Sequence, residues 1–170
     1  MDESERNRRF SLLLYTADNL SFYKAFNAAL RSKDAGRFIH WRPFYYHLMS
    51  ALRDLPDVED TVFRGIADPP HLERYVQTKQ VCWQGFSSTT TLPGKAKEFA
   101  GPAGYIFELK VYNAKDIREY SWYGATEGEL LLNPNMNFVV TKELHVPSEG
   151  PLRGCNVIEM FQVNDDKLWS

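Results

Sequence analysis

Two carboxylates, Glu127 and Glu129, stand two positions apart with Gly128 between them. An aromatic, turn-prone segment from Tyr120 to Gly124 precedes them, and the apolar run Leu130, Leu131, Leu132 follows at once, closed by Asn133 and Pro134. That run reads as a buried strand, so the pair sits where a loop enters a strand. In an extended chain, residues two apart share a face, and both carboxylates are expected to face one cavity. Close like charges push each other's ionisation apart unless something positive or donating lies near. The chemistry such a pair serves is acid–base work, or stabilisation of a cation that develops during a reaction. On spacing alone, two solvated surface glutamates are the commoner reading.

Two further groups carry chemistry: Arg64 in a β-prone stretch, and the hydroxyl cluster Ser87, Ser88, Thr89, Thr90 and Thr91. An arginine presents a planar fork of donors that suits phosphate or carboxylate. Hydroxyls hold a carboxylate's orientation by donating to it, and a fixed carboxylate stabilises the oxocarbenium-like state of glycoside cleavage. Together the three fit cleavage between a ribose carbon and a good leaving group, with a diphosphate held by Arg64. Singly, each has a plainer reading: an arginine paired with a carboxylate, and turn chemistry at a strand end. Gly-x-Gly-x-x-Gly, Walker and Gly-x-Ser-x-Gly patterns are missing. His40, His47, His71 and His145 form no pairs at metal-ligand spacing, and Cys82 and Cys155 have no ligand partners nearby, so no metal is expected.

Composition bounds the rest. The 170 residues suit one domain over 1–170, with 1–10 read as a flexible arm. At 44% hydrophobic and 14% aromatic residues the chain can bury a core. Lys plus Arg number 20 against 22 Asp plus Glu, a balance that argues against nucleic-acid or membrane-surface partners. No run of about 18 apolar residues exists to span a bilayer. The apolar run 12–15 is too short for a signal-peptide core, so an intracellular protein, monomeric, is expected.

The positioning elements follow from periodicity. Phe22, Ala25, Phe26, Ala29 and Leu30 predict a helix over 21–31, with Gly36 as the break beyond it. Pro43 opens a second helix, with Phe44, His47, Leu48, Ala51 and Leu52 on one face, and Pro56 ends it. Strands are predicted at 61–66, 81–86 running into 87–91, 105–111, from Leu130, 137–141 and 156–163. Short helices are predicted at 68–77 and 95–100, and a turn or helical stub at 113–119. Helices first and short strands after say α+β rather than alternating βαβ.

In chain order, Val62-Phe63-Arg64-Gly65, then Gly85-Phe86-Ser87-Ser88-Thr89-Thr90, then residues 116–121 leading into Glu127 to Pro134, resemble the arginine-serine-glutamate class of mono-ADP-ribosyltransferases. That class includes vertebrate-type arginine-specific transferases and several bacterial toxins, and the resemblance covers about residues 31–140. It implies N-terminal helices packed on a split core of two small, mainly antiparallel β-sheets around an NAD-binding cleft. It implies NAD+ as co-substrate, no metal, and an arginine-bearing protein as acceptor. Arg64 would bind the NAD+ phosphates, Ser88 would hold the catalytic carboxylate, and Ser87 is the other register for that serine. Glu129 would bond the nicotinamide ribose and stabilise the oxocarbenium ion, and Glu127 would orient and deprotonate the acceptor guanidinium. Gly65 and Gly85 would allow close approach of the ligand, with Phe86 and Thr89 beside them in the nucleotide site. Trp122 or Tyr123 would touch the protein target or pack the loop. Thr90 stands where the family has a serine, and keeps the hydroxyl. Two other readings use the same resemblance: an NAD+ glycohydrolase with water as acceptor, and an inactive module that binds NAD+ or protein.

Overall fold

A computed structural model describes residues 1–17, 22–122 and 124–163. The helices lie mostly in the first third. They are α1 (Glu3–Thr16), α2 (Phe22–Ser32), the short α3 (Ala35–Phe38) and α4 (Arg42–Arg53). Residues 1–10, expected as an arm, are helical from Glu3, because Asp2 caps the helix by accepting from the Glu5 N–H at 2.7 Å. Gly36, expected as a break, lies inside α3, and the chain instead turns at Lys33, whose φ is 55°. Pro43 sits in the first turn of α4, where its missing N–H costs nothing.

Seven strands follow: β1 (Asp57–Ile66), β2 (Gln80–Trp83), β3 (Ser87–Thr90), β4 (Tyr105–Asp116), β5 (Glu129–Leu132), β6 (Met136–His145) and β7 (Asn156–Gln162). A fifth helix, α5 (Pro93–Ala100), lies between β3 and β4. The predicted helix at 68–77 is only a 3₁₀ turn, Leu72–Arg74, since Pro69 and Pro70 set extended backbone before it. The stub predicted at 113–119 is instead largely the end of β4, which reaches Asp116. The strand predicted over 81–91 is two strands, because Gln84, Gly85 and Phe86 leave one partner for another: β2 pairs with β6, and β3 with β5.

The strands hydrogen-bond in the order β1-β3-β5-β4-β7-β6-β2, with β1 also pairing β4. The two sheets of the expected α+β core are therefore joined through β1 and β4. Every pair is antiparallel except β4–β7. Side chains that alternate along the strands feed separate layers. Val62, Phe107, Leu109, Ile158 and Met160 point into a core between the strands, while Phe63, Ile106 and Val157 meet Ala96 and Ala100 of α5 on the other face. Strand β5 is buried on both faces, which is why it reads as an unbroken leucine run. Leu130 and Leu132 enter the strand core, and Leu131 enters a third layer with Leu12, Phe26, Leu48 and Leu52 of the helices. Each leucine buried so fully contributes about 1.5 to 3 kcal/mol. Lys115 ties the link between α4 and β1 to β4, donating to the Leu55 carbonyl at 2.8 Å and pairing with Asp57 at 2.7 Å. Among the described residues, no helix is long and apolar enough to cross a membrane.

Two positions test this packing. A Cβ on Gly65 would lie 2.0 Å from the Ala96 carbonyl oxygen, a backbone atom that cannot move aside, whereas one on Gly94 meets nothing within 4 Å. Gly65→Ala is expected to destabilise by at least about 2 kcal/mol, and Gly94→Ala to stabilise by about 0.5 to 1 kcal/mol, both read from urea midpoints. Tyr15, 2% exposed, supplies the second test. Burial pushes its phenol up to about 12 from an ordinary 10.0, and the hydrogen bond from Asn27 offsets this only in part. The folded state thus holds that proton more tightly than the unfolded chain. The stability it contributes is full below pH 10 and is lost as pH rises to about 12. The size is about 2 to 3 kcal/mol, and the slope of stability against pH in that window should be shallower in Tyr15→Phe.

Candidate active site

A cleft of about 890 Å³ opens between the helical layer and the strands. Arg64, Gly65, Gly85, Phe86, Ser87, Ser88, Thr89, Glu127 and Glu129 all line it. They come from three places in the chain, brought together by the β1–β3–β5 pairing.

The β3–β5 register sets which way each side chain faces. Ser87 pairs with Leu132, Ser88 with Leu131, Thr89 with Leu130 and Thr90 with Glu129. Directly paired residues share a face, so Ser88, Thr90, Glu129 and Leu131 face the helices, while Ser87, Thr89, Leu130 and Leu132 face the strand core. Of the two serines, it is Ser88 that lies on the Glu129 face. Thr89 spends its hydroxyl on the Leu130 carbonyl at 2.7 Å. Thr90 donates to the Glu127 carbonyl at 2.5 Å and accepts from the Leu92 N–H at 3.0 Å, tying the carboxylate loop to the end of β3. The Thr91 N–H bonds the Gly128 carbonyl at 3.0 Å and completes that tie.

The two glutamates share the cleft, but not through extended backbone as expected. Glu127 ends a 3₁₀ turn, Gly124–Glu127, and Gly128 follows with φ 56°. A side chain there would be strained and would meet Thr91 Oγ1 at 2.7 Å, so this position needs glycine. Glu129 is 7% exposed and accepts from the Ser121 hydroxyl at 3.0 Å. The preceding residue in the loop, Tyr120, packs on the helical layer, with the Arg9 guanidinium 6.0 Å from its ring.

Arg64 is half-buried and donates from Nη1 to the Ser88 backbone carbonyl at 2.9 Å. Its guanidinium lies 5.9 Å from the Trp83 ring centre. Tyr75, Phe107 and Phe138 pack around that indole, and its N–H donates to the Tyr75 hydroxyl. Burial pulls the guanidinium below its ordinary value; the Tyr15 and Tyr23 phenols work against this and Arg31 adds to it. Arginine nonetheless stays charged. Among the described residues no carboxylate pairs with Arg64 in a salt bridge. A cation held in this way is ready for an anion that enters the cleft.

Other expectations land differently. The room left by Gly65 is filled by α5, and that left by Gly85 by the Asn27 side chain at 2.9 Å, so both glycines serve protein packing. The Phe86 ring is buried against Phe26 and Tyr15. Trp122 is 61% exposed, with its N–H donating to Thr16 Oγ1 at 2.9 Å; Tyr123 lies outside the described residues. Sequence reasoning assigned no site role to Tyr15, Asn27 and Trp83, which line the cleft, nor to Ser121, which donates to Glu129. Asn27 had one readable signal, a polar residue beside Phe26 on the apolar side of α2. Both cysteines are half-buried and free, and among the described residues no group of three or more His, Cys, Asp or Glu is disposed to hold a metal.

Comparison with known proteins gives the fold and no more. No protein-family model matches the sequence, and no curated protein matches it. Solved structures do. The chain is similar to Vis toxin, an ADP-ribosyltransferase from Vibrio splendidus, with TM-score 0.72 and 24% identity over 94% of this chain and 74% of that one. Vis has also been solved in complex with agmatine. Plx2a, an ADP-ribosyltransferase toxin from Paenibacillus larvae, matches with TM-score 0.70 and 19% identity over 92% of this chain and 86% of that one. The eukaryotic mono-ADP-ribosyltransferase ART2.2 matches with TM-score 0.72 and 23% identity over 94% and 68%. The chain thus has the α+β fold of these ADP-ribosyltransferases.

Proposed function

We propose that the protein transfers ADP-ribose from NAD+ to the guanidinium of an arginine on another protein. The observation that carries this reading is the meeting of Arg64, Ser88 and Glu129 in one cleft, with Ser88 and Glu129 on one face of the β3–β5 pair. The fold shared with ADP-ribosyltransferases supports it. Agmatine, the compound solved with Vis, carries the same guanidinium as arginine, which supports the acceptor class.

Each residue then has a task. Arg64 takes the diphosphate of NAD+, being a cation without a carboxylate partner among the described residues. As the bond from ribose C1′ to the nicotinamide nitrogen breaks, its electron pair leaves with the nicotinamide. The positive charge left on C1′ and the ring oxygen is stabilised by the Glu129 carboxylate. Burial of Glu129 at 7% exposure strengthens that interaction by keeping water away. Ser121 holds the carboxylate by donating its hydroxyl to it, and Ser88 lies on the same face of the β3–β5 pair. An acceptor guanidinium nitrogen attacks C1′ and passes its proton to Glu127 at the cleft edge.

The test is nicotinamide release from NAD+, followed with and without agmatine and candidate proteins. Glu129→Gln should lower kcat about 100- to 1,000-fold with KM for NAD+ nearly unchanged, because its contact matters most at the transition state. Arg64→Ala should raise KM as well. Glu127→Ala should reduce transfer to agmatine more than hydrolysis; equal loss of both would overturn the division between the two glutamates. Free ADP-ribose with no labelled acceptor would replace the transferase with a glycohydrolase. A wild-type protein that releases no nicotinamide would leave the fold as a binding module.

A further inference from the structure

Resting on that reading of the cleft, we infer that Thr16, the last residue of α1, is a positioning residue: its hydroxyl oxygen holds the backbone N–H of Trp122 and so keeps the Ser121 hydroxyl on the Glu129 carboxylate. Every link is a hydrogen bond or a covalent neighbour. Ser121 Oγ donates to Glu129 Oε2 at 3.0 Å. The next residue's N–H, that of Trp122, donates to Thr16 Oγ1 at 2.9 Å. Thr16 Oγ1 in turn donates to the Leu13 carbonyl at 3.0 Å, so its proton is spent within the helix and its oxygen is left to accept. Thr16, Ser121 and Glu129 are all buried, and Thr16 also lines the cleft.

The anchored nitrogen belongs to the peptide unit that joins Ser121 to Trp122, and that unit is planar. Its other polar atom, the Ser121 carbonyl, accepts from the Gly124 N–H at 3.1 Å. Both ends of the plane are therefore held, one by the loop's own turn and the other by α1. On the other side of Ser121, the Tyr120 N–H donates to the Ile117 carbonyl at 2.9 Å, and the Tyr120 side chain packs on the helical layer. The Trp122 indole is exposed, so the loop is fastened here through its backbone and not through that side chain. Helix α1 makes a firm post for it. Leu12 and Tyr15 are buried among Phe26, Leu48 and Leu52, and Arg8 pairs with Asp54 at 2.6 Å. The role belongs to the oxygen. A valine at this position has the same shape but no acceptor, and leaves the Trp122 N–H without its bond; a serine keeps the acceptor. A carboxylate whose donor drifts loses its aim at the reacting carbon, and small misplacements of this kind are costly to turnover.

The test is nicotinamide release by Thr16→Val, Thr16→Ser, Ser121→Ala and the double variant of Thr16→Val with Ser121→Ala. Thr16→Val should lower kcat roughly tenfold with KM for NAD+ held within about twofold, and Thr16→Ser should restore kcat to within about twofold of wild type. In the Ser121→Ala background, Thr16→Val should cost less than about threefold, because the hydroxyl it aims is gone. A serine variant as slow as the valine one, an equal loss in both backgrounds, an unchanged kcat or a loss confined to KM overturns the role and leaves Thr16 a packing residue. A second readout needs no NAD+ and so separates this from failure of the transferase reading. With ¹³Cδ-labelled glutamate, the Glu129 carboxyl signal, identified by its loss in Glu129→Gln, should move in Thr16→Val toward its position in Ser121→Ala and keep its wild-type position in Thr16→Ser. If the wild type releases no nicotinamide, that signal decides: a move sustains the link, and an unmoved signal overturns it. If Thr16→Val does not fold, the Trp122 amide of the wild type decides, identified by its loss in Trp122→Phe. Hydrogen exchange slowed about 100-fold or more relative to an unstructured peptide sustains the anchor, and anything faster overturns it.

Discussion

The pairing of β3 against β5 is the constraint on which the cleft depends. One step of slip in β5 would turn Glu129 and Leu131 to the strand core, away from the face of Ser88, and bring Leu130 and Leu132 to the helices. The leucines prevent it. Leu131 is buried among helical side chains while Leu130 and Leu132 are buried among strands, so the slipped register would strand a carboxylate in an apolar layer. The threonines add a second lock, since the hydroxyl of Thr89 bonds the Leu130 carbonyl across the pair and that of Thr90 bonds the Glu127 carbonyl in the turn before β5. The polar positions of the cleft are thus fixed by apolar burial on both sides of one four-residue strand.

Around this pair, a dense aromatic layer does what a polar shell alone would not. Phe26 and Phe86 stack at 5.7 Å, and Tyr15 meets Phe86 edge-on at 5.8 Å. These rings keep water from the back of the cleft and hold the Tyr15 and Asn27 side chains in single positions. On the opposite wall, Trp83 is wedged between Phe107 and Phe138 and presents its indole to Arg64. Charged and polar groups at the cleft are therefore mounted on side chains that cannot turn, which lowers the reorganisation any bound substrate would demand.

Much of this was legible in the sequence, for local reasons. The leucine run after a carboxylate pair marked β5, the alternation from Tyr105 marked β4, and Pro43 before an apolar face marked α4. Arg64, the serines and the glutamates stood out because their residue types carry chemistry. What escaped depended on partners far away. Ser87 and Ser88 cannot be told apart until the facing strand is known. Gly65 was assigned to ligand approach, yet the space it makes belongs to α5, an element that begins almost thirty positions later. Tyr15 looked like one more aromatic residue, because the hydrogen bond its hydroxyl accepts comes from Asn27 on another helix. The early helix start had a local signal, Asp2 with Glu5 three residues on, that was outweighed by the charge of the segment.

The ties that close the cleft reach unusually far along the chain. Asn27 to Phe86 spans 59 positions, Leu55 to Lys115 spans 60, and Thr16 to Trp122 spans 106. Closing such loops carries an entropy cost that is recovered only when the distant segments dock, and contacts of this kind slow folding. A polypeptide emerging from synthesis has its helices long before it has β5, so an apolar helical face must wait uncovered until about residue 132 is available. Completion of the protein and completion of its cleft are then a single event, and a partly folded chain holds no working fraction of either.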